Sequence, residues 1–312
     1  MSLNRAGSRS VVSVAAPLPV RDGIAPSRVH LPQGDWATIF DFLVQRFRFT
    51  AASVIHERLV RGEIVDAEGV PITPQTPYAP HQWLWYYREV PDEPQVPFEI
   101  DILYRDAQLL VIDKPHFLAS IPGGRYLKET ALTRLRQQLG LPDLSPVHRL
   151  DRETAGVMMF TIDPSCRGAY QSLFQSRDVT KVYEAVAPLD PLLTLPLRRE
   201  TRLDAKSTHF TMQEVEGLPN SSTLIELIRP VDTYGLYRLT PHTGRKHQLR
   251  VHMSNLGIPI CNDLFYPELQ PSSMFDDFSR PLQLLAREVS FCDPYTGKTR
   301  TFSSNRVLAM AS

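Results

Sequence analysis

The chain has little cysteine: Cys166, Cys261 and Cys292 in 312 residues, with no CxxC pair. That argues against a zinc ribbon, a thioredoxin-type centre or a disulfide framework, and suits a reducing cytosol. It also lacks an apolar run of about 18 residues, so no transmembrane helix is expected. Neither charge sign is in excess, with Lys+Arg 34 and Asp+Glu 34. Bulk charge therefore names no partner, although its distribution can still build a local basic groove. There is no internal repeat and no glycine-rich nucleotide loop; Gly123-Gly124 is an isolated pair that reads as a turn. Residues 1–20 have no compact apolar core followed by a cleavage-type pattern, against a secretory signal. The stretch Ser2 to Arg21 carries Arg5, Arg9 and Arg21 and no acid. Between an organelle transit peptide and a disordered tail, the tail is the preferred reading.

The length suits about two domains of ~150 residues and buries a core without disulfides or metals. Hydrophobic residues at 42% and charged residues at 22% are ordinary for a globular protein. Proline is abundant, 27 residues, nearly twice the usual ~5%. Seven lie between Pro71 and Pro97, among Glu89, Asp92, Glu93, Glu99 and Asp101. Such a stretch reads as extended linker and places a domain boundary near residue 95. The expected organisation is a disordered tail over 1–34, a small module with its linker over 35–95, and a larger domain over 96–312.

In the small module, Ile39, Phe42, Leu43 and Phe47 recur at helical spacing over Trp36 to Phe49, and Ala51 to Val60 continues as a second helix. Glu63 to Gly69 reads as strand and turn, and Trp83 to Tyr87 as a closing strand. An RNA-binding module and a packing appendage fit this pattern equally. In the larger domain, strands are expected at Leu109–Asp113, Val157–Ile162, Lys181–Ala187, Thr223–Ile228 and Leu236–Thr240. Helices are expected at Thr130–Leu139, Pro164–Arg177 and Lys246–Leu256, with a hairpin over Ala286–Phe291 and Thr299–Phe302. Strands arrive with and without intervening helices, so the expected class is α+β with a mixed, mainly antiparallel sheet and flanking helices.

Three segments carry candidate chemistry. In Ser145 to Gly156, Asp151 precedes a strongly apolar strand and is flanked by Arg149 and Arg152. A carboxylate there is an ion-pair anchor, a turn cap or a reactive group. Glu153, two residues on, shares its side of an extended chain, which permits a two-carboxylate sugar hydrolase. Adjacent chain positions rarely flank a scissile bond from both sides, so that reading is the weaker one. In Thr243 to Asn255, Arg245, Leu249, Met253 and Leu256 form one helical stripe. A cation at the inward first turn opposes the macrodipole and, if buried, needs a partner. Asp151 is the natural nominee, the alternative being an Arg245 that snorkels to solvent. The window 229–252 holds Arg229, Arg238, Arg245, Lys246 and Arg250 against Asp232 alone, a local basic surface suited to phosphates. Intervals of five between His242, His247 and His252 do not align on a helix, against a metal site. On the third segment, Lys181, Tyr183 and Ala185 share one strand face, where Tyr183 is either core or a stacking platform for a base.

Together these segments resemble the pseudouridine synthases of the large-subunit-rRNA and tRNA family. The signature His-Arg-Leu-Asp is His148-Arg149-Leu150-Asp151, followed by Arg152 to Gly156. The Lys-x-Tyr motif resembles Lys181-Val182-Tyr183, and Thr-Gly-Arg-x-His-Gln-Leu-Arg is Thr243 to Arg250. Val111 to Pro115 and Leu256 to Ile260 also fit, and the likeness spans about residues 98–303, with the motifs in the family's order. It implies isomerisation of uridine to pseudouridine in structured RNA, rRNA or tRNA, with no cofactor and no metal. It further implies Asp151 as catalytic carboxylate, Arg245 paired with it, and Tyr183 against the uracil as a candidate acceptor of the C5 proton. His148, Arg149, Arg250 and Leu284 are the other implied substrate contacts, and the target base is expected to flip from its stack. Residues 36–90 resemble a degenerate S4-type RNA-binding module whose basic helix is reduced to Arg46, Arg48, Arg58 and Arg61. The chain departs from the family where Leu284-Leu285-Ala286 replaces Leu-His-Ala, and where Gly257-Ile258-Pro259-Ile260 and Asn262-Asp263 replace Gly-His-Pro-Ile and Gly-Asp. Asn262 tolerates the left-handed backbone that a glycine would adopt there. The expected enzyme is cytoplasmic, monomeric and not membrane-bound. The competing readings are a catalytically silent RNA-binding or ribosome-assembly protein on the same fold, and the hydrolase above.

Overall fold

The structure is a computed structural model that describes residues 16–89, 93–206 and 211–311. Residues 1–15, part of the expected tail, lie outside the described residues. The chain forms two compact units, 1–91 and 92–312.

In the first unit, strand β1 (Ser27–His30), helices α1 (Ile39–Arg46) and α2 (Ala52–Val60), and strands β2 (Ile64–Val65) and β3 (Trp83–Tyr86) follow in order. The strands form an antiparallel sheet of order β1-β3-β2. Helix α1 begins at residue 39 rather than 36 because Thr38 and Asp41 form a reciprocal capping box. Its Ile39, Phe42 and Leu43 pack on Ile55 and Leu59 of α2 and on Leu84 of β3. Strand β1 corrects the expected tail over 1–34, because Ser27–His30 pairs along Trp83–Tyr86. Its four residues are too short a run to show a period.

In the second unit, strands β4 (Asp101–Arg105) and β5 (Leu109–Lys114) form a hairpin, followed by α3 (Ala131–Leu139), β6 (Ser145–Pro146) and β7 (Ala155–Thr161). A 3-10 turn, Pro164–Cys166, leads into α4 (Arg167–Ser176), then β8 (Val179–Pro188), β9 (Leu197–Ala205), β10 (Met212–Val215), β11 (Ser221–Val231) and β12 (Tyr234–Pro241). Helix α5 (Gln248–Asn255) precedes the hairpin of β13 (Leu284–Cys292) and β14 (Thr299–Ser303). Among the described residues the eleven strands make one sheet, β10-β9-β11-β12-β8-β13-β7-β5-β4, with β14 on β13 and β6 on β7. The β13–β7 pair is parallel and the others are antiparallel.

Strands β5 and β7 are mostly apolar runs because both their faces are covered, and they are buried along their whole length. Helix α3 packs with Leu110, Ile112, Met158 and Phe160 on one face, and Tyr170 of α4 packs with Val111, Val157 and Met159 on the other. Helix α5 places Leu249 and Met253 over Ala185 and Leu239. The linker ends earlier than residue 95: the Glu93 carboxylate accepts from the backbone N–H groups of Leu127, Lys128 and Glu129 at 2.7–2.8 Å, tying it to the second unit. No described helix is long and apolar enough to cross a membrane.

Gly156 is where β7 meets β13. Its φ is +113°, and a Cβ added there would stand 2.2 Å from the Ala286 carbonyl oxygen. Gly156→Ala is therefore expected to cost about 3 kcal/mol from overpacking and a disfavoured backbone, read as a lowered denaturation midpoint with an unchanged m-value. An unshifted midpoint would show that β7 and β13 can separate freely.

Candidate active site

The loop between β6 and β7 carries Arg149, Leu150, Asp151 and Thr154 into a cleft that Tyr183 of β8, the Thr243–Gln248 turn, Arg250 of α5 and Leu284 of β13 also line. Asp151 is partly exposed at its floor, while the Arg250 side chain beside it is 1% exposed. Arg250 holds the site together. Its Nε and Nη2 donate to Asp263 Oδ2 and Oδ1 at 2.8 and 2.5 Å. Its Nη1 donates to Asp151 Oδ2 at 3.4 Å and to Glu153 Oε2 at 3.5 Å. The guanidinium also lies 4.3 Å from the Phe265 ring centroid. Burial opposes the charge, but the Asp263, Glu153 and Asp151 carboxylates outweigh it and raise Arg250 above an ordinary guanidinium. The cleft thus contains a permanent cation pointed at Asp151.

The backbone around Asp151 is held from beneath. Ser120 Oγ donates to the Leu150 carbonyl at 2.6 Å and accepts from the Leu150 N–H at 3.0 Å. Lys114 Nζ donates to the carbonyls of Pro115, Leu118 and Arg152 at 3.0, 2.7 and 3.2 Å. Burial pulls this lysine down to about 7, against the opposing pull of the Glu153 and Asp151 carboxylates. Arg152 turns away from the cleft to the Phe275 carbonyl and the Asp276 carboxylate, at 2.8 and 3.2 Å. Phe117, His247 and Asn262 all have left-handed backbone, φ 66°, 54° and 62°. Such non-glycine strain concentrates at sites whose surroundings over-determine it, and Asn262 meets the expectation for its turn.

Four histidines, His247 and His252 buried and His116 and His148 half-buried, are held as neutral rings. Burial lowers His148 and His247 to about 3, and His116 and His252 to about 4. His148 Nε2 accepts from the Met159 N–H at 3.2 Å, which puts its proton on Nδ1. His252 bonds Thr201, Ser221 and Thr223 at 3.0–3.1 Å. Gln248 Nε2 reaches the same Thr223, while its Oε1 accepts from Thr243 Oγ1 and the Arg245 N–H. The hydroxyl network thus fixes the turn that lines the cleft.

A profile of the RNA pseudouridylate synthase family matches residues 108–255. The chain is 32% identical over 220 residues to dual-specificity RNA pseudouridine synthase RluA of Haemophilus influenzae, covering 66% of this chain and 92% of that protein. The chain belongs to the RNA pseudouridylate synthase family. It is also 30% identical over 214 residues to tRNA pseudouridine synthase C of Vibrio vulnificus, covering 63% of this chain and 86% of that protein. The solved structure of human RNA pseudouridylate synthase domain containing 1 aligns with TM-score 0.55 and 25% identity, over 69% of this chain and 86% of that one.

Within this synthase, Asp151, Tyr183, Arg149, Arg245, Arg250 and Leu284 line one cleft. His148 lines only the adjoining groove. One pairing is corrected. Arg245 donates through Nε to the Asn220 carbonyl at 3.2 Å, and the guanidinium on Asp151 is that of Arg250. The stripe placing Arg245 on the helix fails because His247 adopts left-handed backbone as N-cap, so α5 starts at Gln248 and turns Arg250 inward. The basic window 229–252 is not one surface either. Arg250 is buried and Arg229 donates to the Ala311 carbonyl, while Arg245 and Lys246 line the groove with Arg149, Arg177 and Lys181. Asp263, Ser120 and Lys114 are supporting residues that the sequence did not single out. Asp263 stood out only within the Asn262-Asp263 turn pair.

Arg250→Met should strand buried carboxylates, lower stability by ~3–5 kcal/mol and remove activity; a fully stable, active variant would refute the shared pairing. Neutral buried histidines bind fewer protons folded than unfolded. Their stabilisation is complete above pH ~6.5 and fades as pH falls toward their folded values of about 3–4. The melting temperature should therefore drop progressively below pH ~6.5, and His148→Gln should flatten that slope. An identical slope in the variant would show that His148 is not held neutral.

Proposed function

We propose that this synthase converts uridine to pseudouridine in structured RNA, rRNA or tRNA, with Asp151 as the catalytic carboxylate and the target base flipped into its cleft. The observation that carries this reading is Asp151 open to the cleft beside a buried guanidinium, at the floor of a groove lined by cations. Arg149, Arg152, Arg177, Lys181, Arg245 and Lys246 line that groove, and Asp151 is its one carboxylate among the described lining residues. Such a surface suits a phosphate backbone. The relatives named as a dual-specificity RNA pseudouridine synthase and a tRNA pseudouridine synthase support RNA as the substrate class.

In the reaction the bond from ribose C1′ to N1 breaks, the base turns, and C1′ joins C5; C5 loses its proton and N1 gains one. Asp151 acts at the sugar, as nucleophile at C1′ or as base on the ring. Tyr183 and Leu284 offer apolar surface to the base. Burial first, and then the Asp151 charge, raises the Tyr183 phenol above its ordinary value, so it meets the base as a neutral ring rather than a phenolate. The Asp151 contribution lapses once that carboxylate has bonded or taken a proton. Arg149, exposed at the rim, is placed to grip phosphate or fill the vacated stack. The likeness of the N-terminal unit to an S4-type module extends the proposal to RNA contact there through Arg46 and Arg48. Arg58 and Arg61 are instead paired with Glu63.

Asp151→Asn should abolish pseudouridine formation, read by mapping total cellular RNA from a deletion strain complemented with wild type or variant. Glu153→Gln should keep most activity, since Glu153 is a buried counter-ion of Arg250 and Arg152. Identical maps for wild type and Asp151→Asn would favour a silent RNA-binding protein, and equal loss in both variants would favour two catalytic carboxylates.

A further inference from the structure

The groove continues past the Asp151 cleft onto the C-terminal end of α4, where Phe174, Gln175 and Arg177 line it. Phe174 lies flat against His148, with centroids 4.5 Å and planes 14° apart. His148 is neutral and donates no charge to the pair, so the two rings form an uncharged stack at the groove wall. Phe174 keeps part of its ring exposed. Arg177 closes α4 with left-handed backbone, φ 67°, and is exposed. Lys181 stands nearby on β8, its ammonium lowered by burial and then by the like charge of Arg177. No carboxylate lines this arm among the described residues. The adjacent Asp178 accepts from Ser176 Oγ at 2.5 Å. A partly exposed aromatic ring beside two cations, Arg177 and the Lys181 whose Nζ donates to the Thr243 carbonyl at 3.2 Å, has the chemistry of a nucleotide site: the ring takes a base and the cations take its phosphate.

We propose that this arm is a subsite for one unpaired nucleotide flanking the target uridine, with its base stacked on Phe174 and its phosphate between Arg177 and Lys181. The proposal rests on the RNA reading above and deepens it. It separates two tasks in one groove, because neither Phe174 nor Arg177 lines the Asp151 cleft.

The test titrates the full chain with fluorescein-labelled oligouridylate and with an abasic sugar-phosphate oligomer of equal length and charge. Phe174→Ala should weaken oligouridylate about tenfold, the loss of one base–aromatic stack, and leave the abasic oligomer unchanged. Phe174→Tyr, which keeps the ring, should restore the base-dependent difference. Arg177→Ala should weaken both oligomers and reduce the slope of log affinity against log salt by about one. Equal losses on both oligomers with Phe174→Ala would assign the ring a packing role and overturn the subsite, as would no loss on either. If wild type makes pseudouridine while Phe174→Ala binds both oligomers as wild type does, the subsite alone falls. If wild type binds neither oligomer and makes no pseudouridine, the RNA reading falls with it.

Discussion

The site depends on one buried guanidinium. Arg250 comes from the first turn of α5, and its partners come from two other segments: Asp151 and Glu153 before β7, and Asp263 in the turn after α5. Burying a cation so completely is costly without compensation. Here the bidentate Asp263 contact takes the larger share, which leaves Nη1 reaching Asp151 at a longer distance. The Asp151 carboxylate is therefore oriented by a cation anchored elsewhere, and it remains open to the cleft.

The same division of labour appears in the backbone. Ser120 fixes Leu150 ahead of Asp151, and Lys114 and His116 hold the carbonyls of Arg152 and Glu153 behind it. Because these supports bond main chain rather than the Asp151 side chain, its carboxylate stays free for chemistry. The segment bearing Ser120 also supplies the groove wall at Ile121, Pro122 and Gly123, so the groove wall and the position of Asp151 share one framework.

Residues read as patterns proved easiest to place. Leu109–Lys114 and Ala155–Thr161 are legible because strands covered on both faces need uninterrupted apolar runs. Strands β9 and β10 left no such trace. Leu197–Ala205 is rich in charge and lies near the sheet edge, where solvent rather than core selects the side chains. Helix α5 was expected two residues early, because propensity gives no sign that His247 takes left-handed backbone. The cleft membership of Asp151, Tyr183, Arg245, Arg250 and Leu284 was legible through spaced motifs, whereas the partner of Asp151 was not.

By itself, the sequence determined the fold class through its hydrophobic pattern and, through its short motifs, a family resemblance that implied which segments meet around Asp151. Only the tertiary structure decided that Arg250 rather than Arg245 faces Asp151, that Asp263 anchors it, and that Ser120 and Lys114 hold the loop. Each of those facts is a contact between segments distant in the chain, set by where a helix starts and which way a strand is covered. An ion pair carries no periodicity for a sequence to display.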